Sequence, residues 1–400
     1  MANKKLKVGN VPHLRFPGFT GEWEVKKLGE IAAFSNGKGH EKDIDENGIY
    51  ILVNSKFVST DGNVIKRTNK QLIPLFCNQI VMVMSDLPNG KALAKCFYID
   101  NNNLYTLNQR ICSLTINEDD SKFIYYSINR NEFYLKFDDG VNQTNLKKAE
   151  VLDCPVYLPS LSEQQKIASF LSLIDERIQT QIKIIEQLKT LIKGLSEKLF
   201  SQEIRFKGFI EKWAVKKLGE IFYSEKGRGL SKDKLVSNGQ YECVLYGELY
   251  TKYKEVIFDV VSKTNEEDGL KSQIGDLLIP SSTTTTGIDL ANVTAINKEN
   301  VLLGGDITVL RSEEKINNIF YAYYLSNYKK EEIASYAQGS TIVHLYYNHM
   351  KNMLIDLPSF EEQTAIANFL SAIDTKIQTE KNILDKYQSQ KQYLLQNLFI

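Results

Sequence analysis

Apolar residues recur in alternating steps of four and three along two stretches of the chain. The first reads Ile167, Leu171, Ile174, Ile178, Gln181, Ile185, Leu188, Ile192, Leu195 and Leu199; the second reads Ile366, Leu370, Ile373, Ile377, Glu380, Leu384, Tyr387, Lys391, Leu394 and Leu398. That spacing is a heptad seam, with one polar interruption in the first stretch, and predicts a long coiled-coil helix over 160–200 and another over 359–399. Pro159 and Pro358 precede them, and Ser162 followed by Glu163-Gln164-Gln165 resembles an N-cap with its box partner. Ahead of each stretch the apolar runs are shorter. They predict strands at Gly48–Val53, Gln79–Met84, Ala94–Ile99 and Arg110–Thr115, then at Tyr241–Tyr246, Gly275–Ile279 and Asp306–Leu310. Aromatic-rich helices are predicted at Lys122–Leu135 and Asn317–Asn327.

The chain repeats itself. Residues 15–31 (RFPGFTGEWEVKKLGEI) and 205–221 (RFKGFIEKWAVKKLGEI) match at 12 of 17 positions, an offset of 190. Residues 158–200 match 357–399 at 19 of 43 positions, an offset of 199, so the second copy carries about nine extra residues. The matching blocks bracket dissimilar interiors, roughly 32–155 and 222–355. A shared scaffold presenting two different surfaces is the expectation, each interior being a mixed α+β domain.

A 37-residue helix is about 55 Å long, whereas a 130-residue domain has a radius of gyration of about 14 Å. The second interior joins the end of the first helix to the start of the second, so an antiparallel pairing is expected, with a domain at each end of a rod. The expected divisions are a tail at 1–14, a first recognition domain at 15–157, a helix at 158–200, a second domain at 201–356 and a helix at 357–400.

Composition narrows the function. With 42% hydrophobic and 24% charged residues, the chain is globular, not disordered. Its 49 Lys and Arg balance 49 Asp and Glu, so any polyanion must be held by local patches. No apolar run approaches the roughly 20 residues of a membrane span, and the lysines near the start precede no apolar stretch, so a cytoplasmic location is expected. The five cysteines (Cys77, Cys96, Cys112, Cys154, Cys243) lack C-x-x-C spacing and are expected as free, mostly buried thiols in a reducing compartment.

The ordered set RFPGF…W…KKLGEI, a variable interior, LPSLSEQQKIASFLSLIDERI, then the same again, resembles the specificity subunit (HsdS) of type I restriction–modification host-defence systems over nearly the whole chain. The resemblance implies two target recognition domains, each reading half of an asymmetric split site in double-stranded DNA. It implies spacer helices that dock modification (HsdM) subunits, two in number, and through them restriction (HsdR) subunits. It implies no catalysis and no cofactor in this chain: S-adenosylmethionine belongs to the modification subunit, ATP and Mg to the restriction subunit. The sequence agrees. No two prolines are adjacent, which removes the N/D-P-P-Y/F signature of an adenine methyltransferase, and no G-x-x-x-x-G-K-S/T loop is present. Glu24-Val25-Lys26 imitates half of a nuclease metal site, but the second copy reads Ala214-Val215-Lys216. His344 and His349 lack the carboxylate or cysteine that would complete a metal site.

DNA affinity comes from Lys and Arg on phosphates, and specificity from polar side chains at base edges. Aligned by their strands, the loop Ser85-Asp86-Leu87-Pro88-Asn89-Gly90-Lys91 falls opposite Ser281-Ser282-Thr283-Thr284-Thr285-Thr286-Gly287. A second pair follows Gly140 and Gly339: Asn142, Gln143, Thr144, Asn145 and Lys147 in one, Ser340, Thr341, His344, Tyr346 and Asn348 in the other. Equivalent positions with different donors suit two half-site readers. Lys38 and Arg228, beside paired glycines, are the phosphate candidates; Lys56, Arg67, Lys252 and Lys254 add basic surface. Off the seam, Arg177, Lys183, Lys189, Lys376 and Lys381 are the candidates for partner contact. The competing readings are a self-contained modification enzyme, for which two readers and a rod leave no room, and a scaffold that binds proteins, whose affinity would respond gently to salt.

Overall fold

The computed structural model describes residues 9–40 and 42–400. The fold is α+β and divides into two units. The first comprises the chain up to Thr180 together with Ile383–Ile400; the second comprises Gln181–Asn382. Of the 1–14 tail, residues 1–8 lie outside the described residues, while Leu14 N donates to Asn397 O at 2.8 Å, tying this segment down within the first unit.

Each unit builds the same frame. In the first, Glu24–Lys27 pairs antiparallel with Pro155–Leu158. A four-stranded antiparallel sheet runs in the order Ala32–Asn36, Ile111–Ile116, Ile80–Val83, Cys96–Tyr98. Beside it lies a three-stranded sheet of Arg67–Thr68, Tyr50–Val53 and Tyr105–Leu107. Ile80–Val83 is buried at all four positions, as a central strand covered on both faces should be. Val81 and Val83 of this strand join Ile51, Val53, Phe57, Leu107 and Ile111 in one core cluster. In the second unit Ala214–Lys217 pairs with Leu354–Leu357, and a five-stranded sheet is centred on Leu277–Pro280. The cysteines are free, with Cys77 exposed and the other four buried.

Each predicted strand is present, whereas Glu24–Lys27, Ala32–Asn36, Tyr105–Leu107 and Pro155–Leu158 are strands that the sequence pattern did not predict. The helix expected over Lys122–Leu135 is two helices, Ser121–Ile128 and Glu132–Leu135. Asparagines break it. Asn129 Oδ1 accepts Cys96 N at 2.9 Å, Arg130 turns left-handed at φ 57, and Asn131 caps the second piece through Phe133 N. Its counterpart is Asn318–Tyr323, continued by a π-helical turn, Tyr324–Tyr328.

The two long helices span Leu161–Phe200 and Phe360–Leu398. The first begins ahead of Ser162, whose expected cap-and-box role passes elsewhere: the Ser160 carbonyl receives the N–H groups of Glu163 and Gln164, and the Glu163 side chain is buried against Arg15. The seam is inward. Ile167, Leu171, Ile174, Ile178, Ile185, Ile366, Leu370 and Ile377 are buried, and Leu188, Ile373 and Leu384 half-buried. Pairing is antiparallel. In the first unit Lys391 pairs with Asp175 and Arg177 reaches Tyr387 Oη at 3.5 Å. In the second, Gln181 Nε2 donates to Glu380 O at 3.1 Å and also to the Glu380 carboxylate. The polar interruption of each seam therefore meets the other, at positions equivalent in the repeat.

Candidate nucleic-acid interface

Backbone hydrogen bonding brings the two predicted loops of each interior together. In the first unit Ser85–Asp86 pairs antiparallel with Thr144–Asn145, Asn145 opposite Ser85. In the second, Ser282–Thr283 pairs with Val343–His344, His344 opposite Ser282. The sequence alignment of these loops shifts by one residue: Leu146 N donates to Met84 O and Leu345 N to Ser281 O, so Ser85 corresponds to Ser282.

The first ribbon is an amide surface. Gln143 Nε2 donates to Ser85 Oγ at 2.7 Å and to Asn145 Oδ1 at 3.3 Å. Asn89 N donates to Asp138 Oδ2 at 3.0 Å and its side-chain amide to Gly140 O at 3.3 Å, joining the loops at their tips. Asp139 accepts the backbone N–H groups of Asn142 and Val141, which hold its carboxyl below the usual carboxylate range. Asn89, Lys91, Asn142, Gln143, Asn145 and Lys147 are exposed; Ser85 and Thr144 are buried.

The second ribbon is hydroxyl and aromatic. Three of its hydroxyls face inward: Ser281 shares a hydrogen bond with Thr308 at 2.8 Å, Ser282 donates to Asp306 Oδ2 at 2.9 Å, and Thr283 meets Thr285 at 2.8 Å. All three residues are buried. Thr284 and Thr285 are exposed, and Thr285 Oγ1 donates to Asp289 at 2.6 Å, the main reason the Asp289 carboxyl lies below its ordinary range. Ser340, Thr341, Tyr346 and Asn348 are exposed. The His344 ring stacks on Tyr346 at 5.6 Å, His349 meets Tyr346 edge-on at 5.5 Å, and Lys226 Nζ stands 5.8 Å from the same tyrosine ring. Tyr346 is the exposed ring of the three, His344 and His349 being half-buried, and an exposed ring beside a cation suits stacking against a base.

Lys38 and Arg228 occupy equivalent places: Lys38 N donates to Leu107 O at 3.2 Å and Arg228 N to Leu303 O at 3.0 Å, and both side chains are exposed. The preceding glycines have no alternative, since a Cβ on Gly37 would lie 1.8 Å from Asn108 O and one on Gly227 2.0 Å from Gly304 O. Of the added basic surface, Lys56 is exposed, Lys252 is engaged by Glu248 at 2.6 Å and Lys254 by Asp374 at 3.6 Å, while Arg67 is half-buried and reaches Gly48 O at 3.4 Å.

On the helices Arg177 is held by Tyr387 and Lys376 by Glu380, whereas Lys183 and Lys189 are exposed. Lys183 lines a shallow groove with Glu186, Gln187, Thr190 and Leu191. Among the described residues no group of His, Cys, Asp and Glu is arranged to hold a metal ion, and no helix is long and apolar enough to cross a membrane.

Sequence reasoning missed the turn residues between the ribbons and the sheets, Arg110 and Asp306 above all. Their signal lay in Gln109-Arg110-Ile111 against Gly305-Asp306-Ile307, a reversal of charge at one position of the repeat.

Two equivalent frames carrying dissimilar polar ribbons define a duplicated recognition protein. The chain belongs to the family described as "Type I restriction modification DNA specificity domain", which matches residues 20–190 and again 210–387. It is similar to the type I restriction enzyme MjaVIII specificity subunit of Methanocaldococcus jannaschii, 26% identical over 398 residues that cover 94% of this chain and 91% of that protein. The putative MjaX specificity subunit of the same organism is 24% identical, covering 98% and 94%. Among solved structures, the S subunit of a type I restriction–modification system from M. genitalium has this fold, with TM-score 0.64 at 20% identity and coverage of 98% of this chain and 99% of that one.

Proposed function

We propose that this chain supplies DNA sequence specificity to a type I restriction–modification complex and performs no chemistry itself. Each recognition domain reads one half of a split, asymmetric site in double-stranded DNA. The paired helices set the spacing between the halves and dock modification subunits, two per chain, which methylate adenine with S-adenosylmethionine. Restriction subunits, using ATP and Mg, join through that assembly and cleave unmodified DNA, all in the cytoplasm. The observation that carries this reading is the pair of ribbons: the same backbone pairing presents Asn145 opposite Ser85 in one unit and His344 opposite Ser282 in the other. Residues that hold the frame match between the copies, and residues that face outward from the ribbons do not. Base edges differ between half-sites, while the supporting scaffold has no reason to.

Lys38 and Arg228 serve phosphates, the exposed ribbon residues serve base edges, and Lys183 and Lys189 on the central helix are open to a partner. The test is reconstitution. Purified chain alone, given S-adenosylmethionine and DNA, is expected to transfer no methyl group. Addition of the cognate modification subunit is expected to give adenine methylation at a discrete split motif. Methyl transfer by the isolated chain would overturn the non-catalytic reading.

A further inference from the structure

Arg110 and Asp306 stand at the same point of the two units. Arg110 O accepts Met84 N at 2.9 Å, and Asp306 O accepts Ser281 N at 2.8 Å, in each case one residue before the ribbon begins. Both are left-handed, at φ 66 and 58. Asparagine and aspartate tolerate that conformation; a long side chain such as arginine gains nothing from it locally. Non-glycine residues held in this region often mark function.

The charges are opposite, and this distinguishes two kinds of DNA contact. A phosphate presents the same anion in both half-sites, so its partner stays basic, as Lys38 and Arg228 do. A base edge changes from one half-site to the other, and a position that turns from Arg to Asp follows the base. Asp306 is occupied within its own unit, accepting from Ser282 at 2.9 Å with Lys226 3.8 Å away. The Arg110 guanidinium is exposed and has no hydrogen-bond or ion-pair partner among the described residues. It lines a concavity of about 470 Å³ with Asn54, Lys56, Lys66 and Asn108, and among the described residues no carboxylate lines it. The Ser85–Gln143 ribbon is contiguous with it through Met84.

We infer that Arg110 is a specificity-determining residue of the first unit: its guanidinium forks onto O6 and N7 of a guanine in the major groove, while Lys56 and Lys66 hold flanking phosphates. The inference rests on the proposed reading of this surface as DNA-binding. It commits the half-site read by this unit to contain a G·C pair.

The experiment uses the full chain with its cognate modification subunit. The wild-type methylation motif is mapped first, and a motif absent without the chain establishes DNA reading independently of Arg110. R110N keeps a side chain suited to left-handed backbone, and R110K keeps the charge without the fork. Each is expected to lose discrimination at a single G·C pair of one half-site by about 5- to 150-fold, with the other half unchanged. K56A is expected to weaken methylation evenly without altering the motif. For variants that fail to assemble, a wild-type complex is titrated with duplexes carrying 7-deazaguanine at each guanine of the motif in turn. One such replacement is expected to weaken binding, because N7 is the acceptor removed. An unchanged motif in R110N and R110K, a half-site without guanine on either strand, or indifference to every 7-deazaguanine would each overturn the role of Arg110. Absence of any chain-dependent motif would instead sink the DNA-reading proposal.

Discussion

Arg15 grips Glu163 with two parallel hydrogen bonds, Nε to Oε1 and Nη2 to Oε2, both 2.8 Å. Arg205 repeats the grip on Glu362 at 2.9 and 2.7 Å. The Arg-Phe that opens each repeat is thereby fastened to the Glu-Gln that opens each long helix. The adjoining Gln164 and Gln363 complete the joint, accepting from Asp120 N and Asn317 N and donating to Pro159 O and Pro358 O. About three turns further along, Asp175 and Asp374 accept the hydroxyls of Tyr126 and Tyr323. The shared letters of the two helices are the joint between recognition domain and helix within each unit.

The joint gives an unequal pair of predictions. Glu362 also accepts Trp213 Nε1 at 2.8 Å, whereas Trp23 Nε1 in the first unit has no partner among the described residues. Removing the arginine strands a buried carboxylate, so R15A and R205A are each expected to destabilise their unit by about 3–5 kcal/mol. E362A is expected to cost more than E163A, because it orphans an indole N–H as well as a guanidinium. Urea unfolding followed by tryptophan fluorescence measures both; equal costs would contradict the role given to Trp213.

The polar layer of the seam carries a second prediction. Lys376 and Gln181 hold the Glu380 carboxyl below the usual carboxylate range, Lys376 most strongly. Replacing both Gln181 and Glu380 by leucine is expected to stabilise the helix pair by about 1–4 kcal/mol and to loosen its register, since a single polar layer is what fixes alignment in such seams. A raised urea midpoint with a broadened or shifted methylation spacer is the expected result. A lowered midpoint would contradict it.

The thiols give the pH dependence. Burial pushes Cys112 up to about 12 and Cys154 up to about 11, against an ordinary value of 9.0. The folded state therefore keeps these protons while the unfolded chain releases them above pH 9. These two thiols leave stability unchanged below pH 9 and lower it between 9 and 11, by up to about 1.4 kcal/mol per pH unit each. At pH 8 one thiol, exposed Cys77, is expected to react with a disulfide reagent in the native protein, and all five after denaturation. Rapid native reaction of more than one would contradict the packing.

The repeat, the helices and the two ribbons were legible because each rests on a periodicity or on apolar runs of fixed spacing. The detail inside the ribbons was not. Ser281, Ser282 and Thr283 read as a solvated hydroxyl run, but strand pairing turns them inward onto Thr308, Asp306 and Thr285. Arg110 reads as the first residue of the strand that runs on to Thr115, and only the comparison of the two copies, Arg110 against Asp306, marks the turn. Glu163 reads as one more polar residue of a helix start, yet Arg15, distant in sequence, claims it. Long-range partners of that kind are set by the fold.

The recognition interiors are expected to be independent. Exchanging residues 222–355 for the corresponding interior of a relative is expected to replace one half of the methylated motif and leave the other intact. Change in both halves would contradict the assignment of one half-site to each domain.

The most direct measurement is methylome sequencing of cells expressing this chain with its cognate modification subunit, compared with cells lacking the chain. A chain-dependent split motif with methylated adenines in both halves is the predicted result. A well-formed complex that yields no such motif would contradict the specificity role.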